Sequence, residues 1–181
     1  DWEDVFAKYR ETPEFKLVNF DMQLDGFKRI FWWEYVHRLL GRLAGLVFLL
    51  PFLYFLIRRK LDHLLALKLV GIFLLGALQG ALGWYMVKSG LVDDPRVSQF
   101  RLTAHLGLAL LIFASQMWIA LGLLSERNAK LLKVQTAIPF LIFLMALSGA
   151  MVAGLRAGAA YDSFPLMNGH LVPPEILMLE P

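Results

Sequence analysis

The chain has 181 residues and no cysteine, which excludes disulfides, thiolate metal sites and cysteine nucleophiles. Any redox chemistry must therefore use a cofactor. Charge is also scarce: Asp, Glu, Lys and Arg make up 18% of the residues against 58% hydrophobic, with a mean hydropathy of +0.57. Ordinary soluble domains carry about a quarter charged residues, so a soluble enzyme is disfavoured. The start of the chain lacks the basic, apolar and small-residue sequence of a signal peptide. What is present in abundance is long apolar runs, several of them beyond the roughly 18 residues that cross a bilayer. The net charge of +3 and the pI near 9.3 do not indicate nucleic acid, because the basic residues gather in short loops between apolar runs, as membrane topology requires.

The expected architecture is an all-α integral membrane protein, an antiparallel four-helix transmembrane bundle. Residues 1–30 read as a polar, water-exposed outer segment, 31–155 as the bundle and 156–181 as an outer loop and tail. The four spans are expected at Phe31–Ile57, Leu64–Val87, Leu102–Leu124 and Val134–Leu155, each long enough at 1.5 Å per residue. Short connections make neighbours antiparallel. Beginning at Asp1 without a methionine, the chain is expected to be a fragment of a longer protein.

Orientation follows the basic residues of the short loops. Arg58, Arg59 and Lys60, and then Arg127, Lys130 and Lys133, put those loops on the cytoplasmic or matrix side. The N-terminal segment, the Asp93–Asp94–Pro95 loop and a Gly- and Pro-rich tail with Asp162, Pro173, Pro174, Glu175 and Glu180 take the outer side. Trp32, Trp33 and Trp84 fall at that outer boundary, where amphipathic rings lie. Small residues spaced three or four apart (Gly41 and Gly45; Gly76, Gly80 and Gly83; Ala146, Ala150 and Gly154) are expected to mark close helix packing. Pro51 and Pro139 are candidate bends in their helices, and no function is inferred from them, since membrane helices tolerate proline.

The first span opens FWWEYVHRLLGR, with Glu34, His37, Arg38 and Arg42 at or just inside the boundary. Glu34 and Arg38, four apart, have the spacing of an ion pair, and the arginines also suit lipid phosphates. The third span opens QFRLTAHLGLALL, with His105 one turn after Arg101 and otherwise surrounded by apolar residues. A lone histidine there is ordinarily a hydrogen-bonded bundle residue. Spans one and three run the same way, however, so His37 and His105 lie at similar depths. Zinc needs three or four protein ligands. Heme needs only axial ligands and an apolar slot, and Gly41 and Ala109, one turn below the histidines, leave room for a flat ring. A bis-histidine heme site and a purely structural histidine pair both remain open on the residues alone. Arg38, Arg42 and Arg101 suit heme propionates. His63 and His170 belong to surface segments, and Gln79, mid-span, is expected to hydrogen-bond between helices rather than to line the pocket.

At these residues the sequence resembles the heme A synthase family, in its mitochondrial and proteobacterial branch. The resemblance runs through PEFKLVNFDMQLDGFKRIFWWEYVHRLLGRLAG (Pro13–Gly45), QGALGWYMVKSGL (Gln79–Leu91), VSQFRLTAHLGLA (Val97–Ala109) and AGLRAGAAYDSFPLMNGHLVPP (Ala153–Pro174). It implies an eight-helix protein built of two four-helix halves, of which this chain matches helices two to five. It further implies that His37 and His105 are axial iron ligands of the half that accepts heme O as substrate, and that a heme b cofactor sits on a histidine pair in the other half. The implied reaction oxidises the carbon-8 methyl group of heme O to the formyl group of heme A, for cytochrome oxidase biogenesis, by successive hydroxylations and loss of water from a geminal diol. Glu34 matches the family's catalytic glutamate, a base or a stabiliser of positive charge. Implied partners are the lipid bilayer, heme O synthase and an electron-transfer partner, in a bacterial or mitochondrial inner membrane; a homo-oligomer is compatible with the family. Family members with a cysteine pair in the first outer loop differ from this chain, and the absent half argues against self-contained catalysis. The competing readings are a bis-histidine b-type electron-transfer cytochrome and a structural assembly subunit without heme. A single level of histidines and the carboxylate of Glu34 weigh against the cytochrome.

Overall fold

The computed structural model describes residues 1–90, 95, 97–124 and 133–172. Asp93, Asp94, Arg127, Lys130, Pro173, Pro174, Glu175 and Glu180 lie outside the described residues, as does the side chain of Lys133. The described elements run α1 (Trp2–Arg10), α2 (Pro13–Leu17), α3 (Leu24–Ile57), α4 (His63–Gly90), α5 (Gln99–Leu124), α6 (Lys133–Leu155) and a 3-10 turn at Ala157–Ala159. An isolated bridge between Met167 and His170 adds a local turn in the tail. Helices α3 to α6 are each long and apolar enough to cross a membrane. The fold is an all-α membrane bundle.

The spans expected from the sequence are all present, and the first is corrected at its start. Helix α3 begins at Leu24 rather than Phe31. The added turns contain charge, which hid them from an apolar-run reading, but Phe27 within them is buried and Lys28 bonds Asp25 at 3.7 Å. The third span likewise begins earlier, at Gln99. Pro51 and Pro139 lie inside helices that continue past them.

Residues 1–30 are not simply a solvated segment. Thr12 ends α1 and starts α2: its hydroxyl donates to the Tyr9 carbonyl at 2.7 Å and accepts from the Phe15 N–H at 3.4 Å, with Pro13 at the first helical position. The hairpin so formed packs its aromatic side onto the beginning of α3. Tyr9 stacks on Phe27 at 4.9 Å, Phe6 meets Phe27 at 5.3 Å, and Trp2 meets Phe31 edge-on at 5.1 Å. Phe15 and Phe27 are buried in this cluster. Asn19 closes it, donating to the Tyr9 hydroxyl at 2.8 Å. Burial, the larger effect, raises the Tyr9 pKa, and the Asn19 bond opposes it.

The α3–α4 connection is built by backbone hydrogen bonding. Lys60 N–H returns to the Phe55 carbonyl and Arg59 N–H to the Leu56 carbonyl, with Arg59 at φ 51°, which satisfies the last carbonyls of α3 in a Schellman arrangement. Asp62 then accepts from the Leu65 N–H at 2.9 Å and caps α4. His63, expected in the loop, is the first residue of α4.

Each span packs on the next along the chain, and α5 with α6 most closely. Phe48 of α3 stacks on Phe73 of α4 at 6.4 Å. Of the small residues expected at close approaches, Gly83 and Gly154 are at one, whereas Gly41, Gly45, Gly76 and Gly80 have open space where a Cβ would stand. Gly107, not anticipated, meets Leu147: an added Cβ would lie 2.9 Å from its Cδ2. At Gly154 an added Cβ would lie 2.7 Å from both Cα and Cβ of Gln99, so α6 passes close to the start of α5 there. Much of the apolar surface faces outward, including Leu124, Ile57 and Trp33, each more than three-quarters exposed. In a bilayer that surface meets lipid or other helices.

Candidate functional site

The residues singled out in the sequence lie at one end of the bundle, on α3 and α5, the end from which both helices start. Helical spacing puts Glu34 and Arg38 on one face of α3, and they form an ion pair through Arg38 Nη2 and Glu34 Oε1. Both side chains are about half exposed. Arg42, one turn deeper, is exposed, as is His37.

His105 is more enclosed. Gln79 of α4 donates through Nε2 to the His105 carbonyl oxygen at 3.0 Å, and the same nitrogen stands 3.4 Å from His105 Nε2. Gly83, one turn along α4, lets the imidazole lie against the helix: a Cβ there would be 2.8 Å from His105 Cε1. Nδ1 of His105 is buried without a partner, and so are Gln79 Oε1 and Thr103 Oγ1. Buried polar atoms in membrane interiors are normally satisfied. At the Gln79–His105 contact, Oε1 and Nδ1 therefore keep unused hydrogen-bonding capacity. His37 and His105 are within electrostatic reach of each other. Among the described residues no group of three or more His, Cys, Asp or Glu could hold a metal ion.

The whole chain, residues 1–181, matches the model of the COX15-CtaA family, described as cytochrome oxidase assembly protein. The chain belongs to this family. It is similar to heme A synthase of Nitrosospira multiformis, 59% identical over all of this chain and 53% of the relative. It is also similar to heme A synthase of Nitrosomonas eutropha, 56% identical over 100% of this chain and 53% of the relative, and to that of Parvibaculum lavamentivorans, 48% identical over 99% and 54%. The chain thus spans about half the length of the curated relatives it matches. No solved structure matches it. With four helices among the described residues long and apolar enough to cross a membrane, and bacterial relatives, this COX15-CtaA member is a multi-pass inner-membrane protein.

Around the histidines, the structure adds groups to those expected. Arg101, a candidate for heme carboxylates, lies over the Tyr85 ring at 4.3 Å and donates to its hydroxyl at 3.2 Å. Glu14, overlooked as part of a polar leader, lies within electrostatic reach of Glu34 on α3 and of Arg156 just after α6. Burial, followed by the Glu34 charge, raises the Glu14 pKa, and Arg156 acts against both. The sequence signal for it is position: Glu14 is the second residue of the first block of the family resemblance, just after the Thr12–Pro13 helix start. His170 is exposed in the tail, its backbone paired with Met167, and His63 is exposed. A groove of about 710 Å³ between α4 and α5, lined by Lys68, Ile72, Leu111, Ser115 and Trp118, lies toward the other end and contains none of the candidate site residues.

Proposed function

We propose that this chain is the substrate-heme half of a heme A synthase, which oxidises the carbon-8 methyl group of heme O to the formyl group of heme A. The observation that carries the reading is the match to COX15-CtaA over the full chain, with relatives at 59% and 56% identity named heme A synthase. His37 and His105 are the residues that would hold the heme iron. The fit rests on the buried, unpartnered Nδ1 of His105, its proximity to His37 and the open face at Gly41. Arg38 and Arg42, exposed on the same helix, suit the propionates.

Conversion of the methyl to the formyl group proceeds by two hydroxylations and loss of water from the geminal diol; with water as the source of oxygen, the methyl carbon gives up four electrons and four protons leave, so an electron acceptor takes the electrons. A heme b held by residues outside this chain would supply electron transfer to a partner. Heme O synthase supplies the substrate. Glu34 is the catalytic residue: one turn from His37 and paired with Arg38, it would take a proton or balance positive charge at the methyl carbon. A bis-histidine electron-transfer cytochrome is not favoured, because the relatives that match the whole chain are named heme A synthase.

The test is mass-resolved chromatography of non-covalent heme extracted after co-expression with a heme O-making enzyme, beside a His37→Ala/His105→Ala control. Heme O or a hydroxylated derivative, lost in the control, is expected. Heme b alone would move the reading to a cytochrome.

A further inference from the structure

The groove between α4 and α5 lies away from the histidines, toward the end of the bundle where Arg58, Arg59 and Lys60 join α3 to α4. Its volume of about 710 Å³ is within the range of about 300–1,000 Å³ usual for small-molecule sites. The walls are apolar. Ile72 is buried, Leu111 and Trp118 are about half exposed, and the Ser115 hydroxyl is satisfied within its own helix, donating to the Leu111 carbonyl at 2.7 Å. Among the described residues lining the groove, Lys68 is the only charged one. Neither α4 nor α5 contains an aspartate or glutamate to pair with it, and Asp62, just before α4, already caps the helix through the Leu65 N–H. Lys68 is five residues into α4, about 7.5 Å along the helix axis. An ammonium at that depth has to reach the interface or meet a counter-charge, and the long lysine stem allows both. Arg58, Arg59 and Lys60 are exposed and make the same end basic. Their distribution assigns this end to the cytoplasmic leaflet, whose anionic lipids attract cations near the surface.

We propose that the α4–α5 groove is a binding site for an anionic phospholipid of the cytoplasmic leaflet, with an acyl chain against Ile72, Leu111 and Trp118 and the headgroup phosphate on Lys68. Charge decides between this occupant and a covering protein helix. An apolar helix laid in the groove would enclose Lys68 with no acid on either wall to balance it, at a cost of desolvating an unpaired cation. A phospholipid brings the anion and the apolar chain in one molecule. The site is separate from the histidines, so it stands whatever heme they hold.

The experiment uses the full-length protein in mild detergent, with lipid retention read by native mass spectrometry as phosphatidylglycerol competes with phosphatidylcholine of the same acyl chains. Preferential retention of phosphatidylglycerol is expected, with the preference reduced about fivefold by Lys68→Gln, the effect of one cation at an anionic surface, and kept by Lys68→Arg. Gly71 lines the groove and has open space where a Cβ would stand. Gly71→Leu therefore fills the groove without a backbone clash and is expected to lower retention of both lipids, whereas Gly76→Leu, equally open but outside the groove, is expected to change neither. Phosphatidylglycerol with brominated acyl chains is expected to quench Trp118, read as the difference from Trp118→Phe. Equal retention of the two lipids, or a preference indifferent to Lys68→Gln, overturns the proposal. Retention unaffected by Gly71→Leu with Trp118 unquenched also overturns it, and is the result of another part of the protein covering the groove. If Lys68→Gln fails to insert, Gly71→Leu and the quenching of Trp118 decide.

Discussion

Gly83 on α4 lies so close to His105 on α5 that a Cβ added to it would stand 2.8 Å from the imidazole Cε1. The glycine is a seat for the ring. Gly41, Gly45, Gly76 and Gly80 have open space at the corresponding position, so here the absence of a side chain is tied to the candidate ligand rather than to helix packing in general.

Gly83→Ala therefore forces the imidazole to move or the helices to part. Overpacking of this kind costs about 1–3 kcal/mol, and a displaced ligand also loses heme. The expected outcome in purified protein is a lower unfolding temperature and a Soret band reduced by about tenfold. Gly80→Ala on the same helix, with open space around it, is the control and is expected to change neither.

The four spans were legible because lipid-facing helices are apolar on all sides, and the run lengths alone delimit them. The start of α3 was not, since Asp25, Lys28 and Arg29 interrupt the apolar pattern while Phe27 beside them is buried by α1 and α2. The ion pair between Glu34 and Arg38 was legible from four-residue spacing. Neither the Glu14 neighbourhood nor the partners of Gln79 could be read in the same way. Both depend on how separate helices meet, as does the distinction between Gly83 and the other glycines, and a one-dimensional spacing rule does not carry that information.

Glu34 and Arg38 should separate stability from chemistry. Their side chains are about half exposed, and exposed pairs couple by no more than about 1 kcal/mol. A double-mutant cycle with Glu34→Gln and Arg38→Gln is expected to find coupling within that bound in thermal unfolding. Glu34→Gln is expected to retain bound heme yet lower heme A formation in the full-length protein by about a hundredfold or more, the range of a lost general base. Normal turnover by Glu34→Gln would remove it from the reaction.

Phe27 should control the N-terminal hairpin. It is buried and in ring contact with Phe6, Tyr9 and Phe31. Removing a buried phenylalanine costs about 3 kcal/mol or more, and the loss here falls on docking of α1 and α2 rather than on the lipid-embedded spans. Phe27→Ala is expected to raise amide hydrogen exchange in residues 2–17 by about two orders of magnitude while leaving exchange in α4 and α5 as it was. Uniform acceleration across all helices would mean that the hairpin is not a separate unit.

Docking of the same hairpin should depend on pH through Glu14. Its ordinary pKa is 4.5, and in the folded protein burial and then the Glu34 charge raise it, with Arg156 opposing. Between 4.5 and the raised value, the docked state holds more protons than the undocked one, so docking is strongest below 4.5 and weakens as pH rises through that window. The sign is opposite to that of a carboxylate ion-paired in the fold. Trp2, which touches Phe31 and Trp32, reports docking. In 5-fluorotryptophan-labelled protein, with the Trp2 resonance assigned by Trp2→Phe, the undocked signal is expected to grow as pH increases from 4.5. Glu14→Gln, which cannot ionise, should keep the docked signal constant. A docked fraction that instead increases with pH would place Arg156 above burial and Glu34 in setting the charge of this cluster.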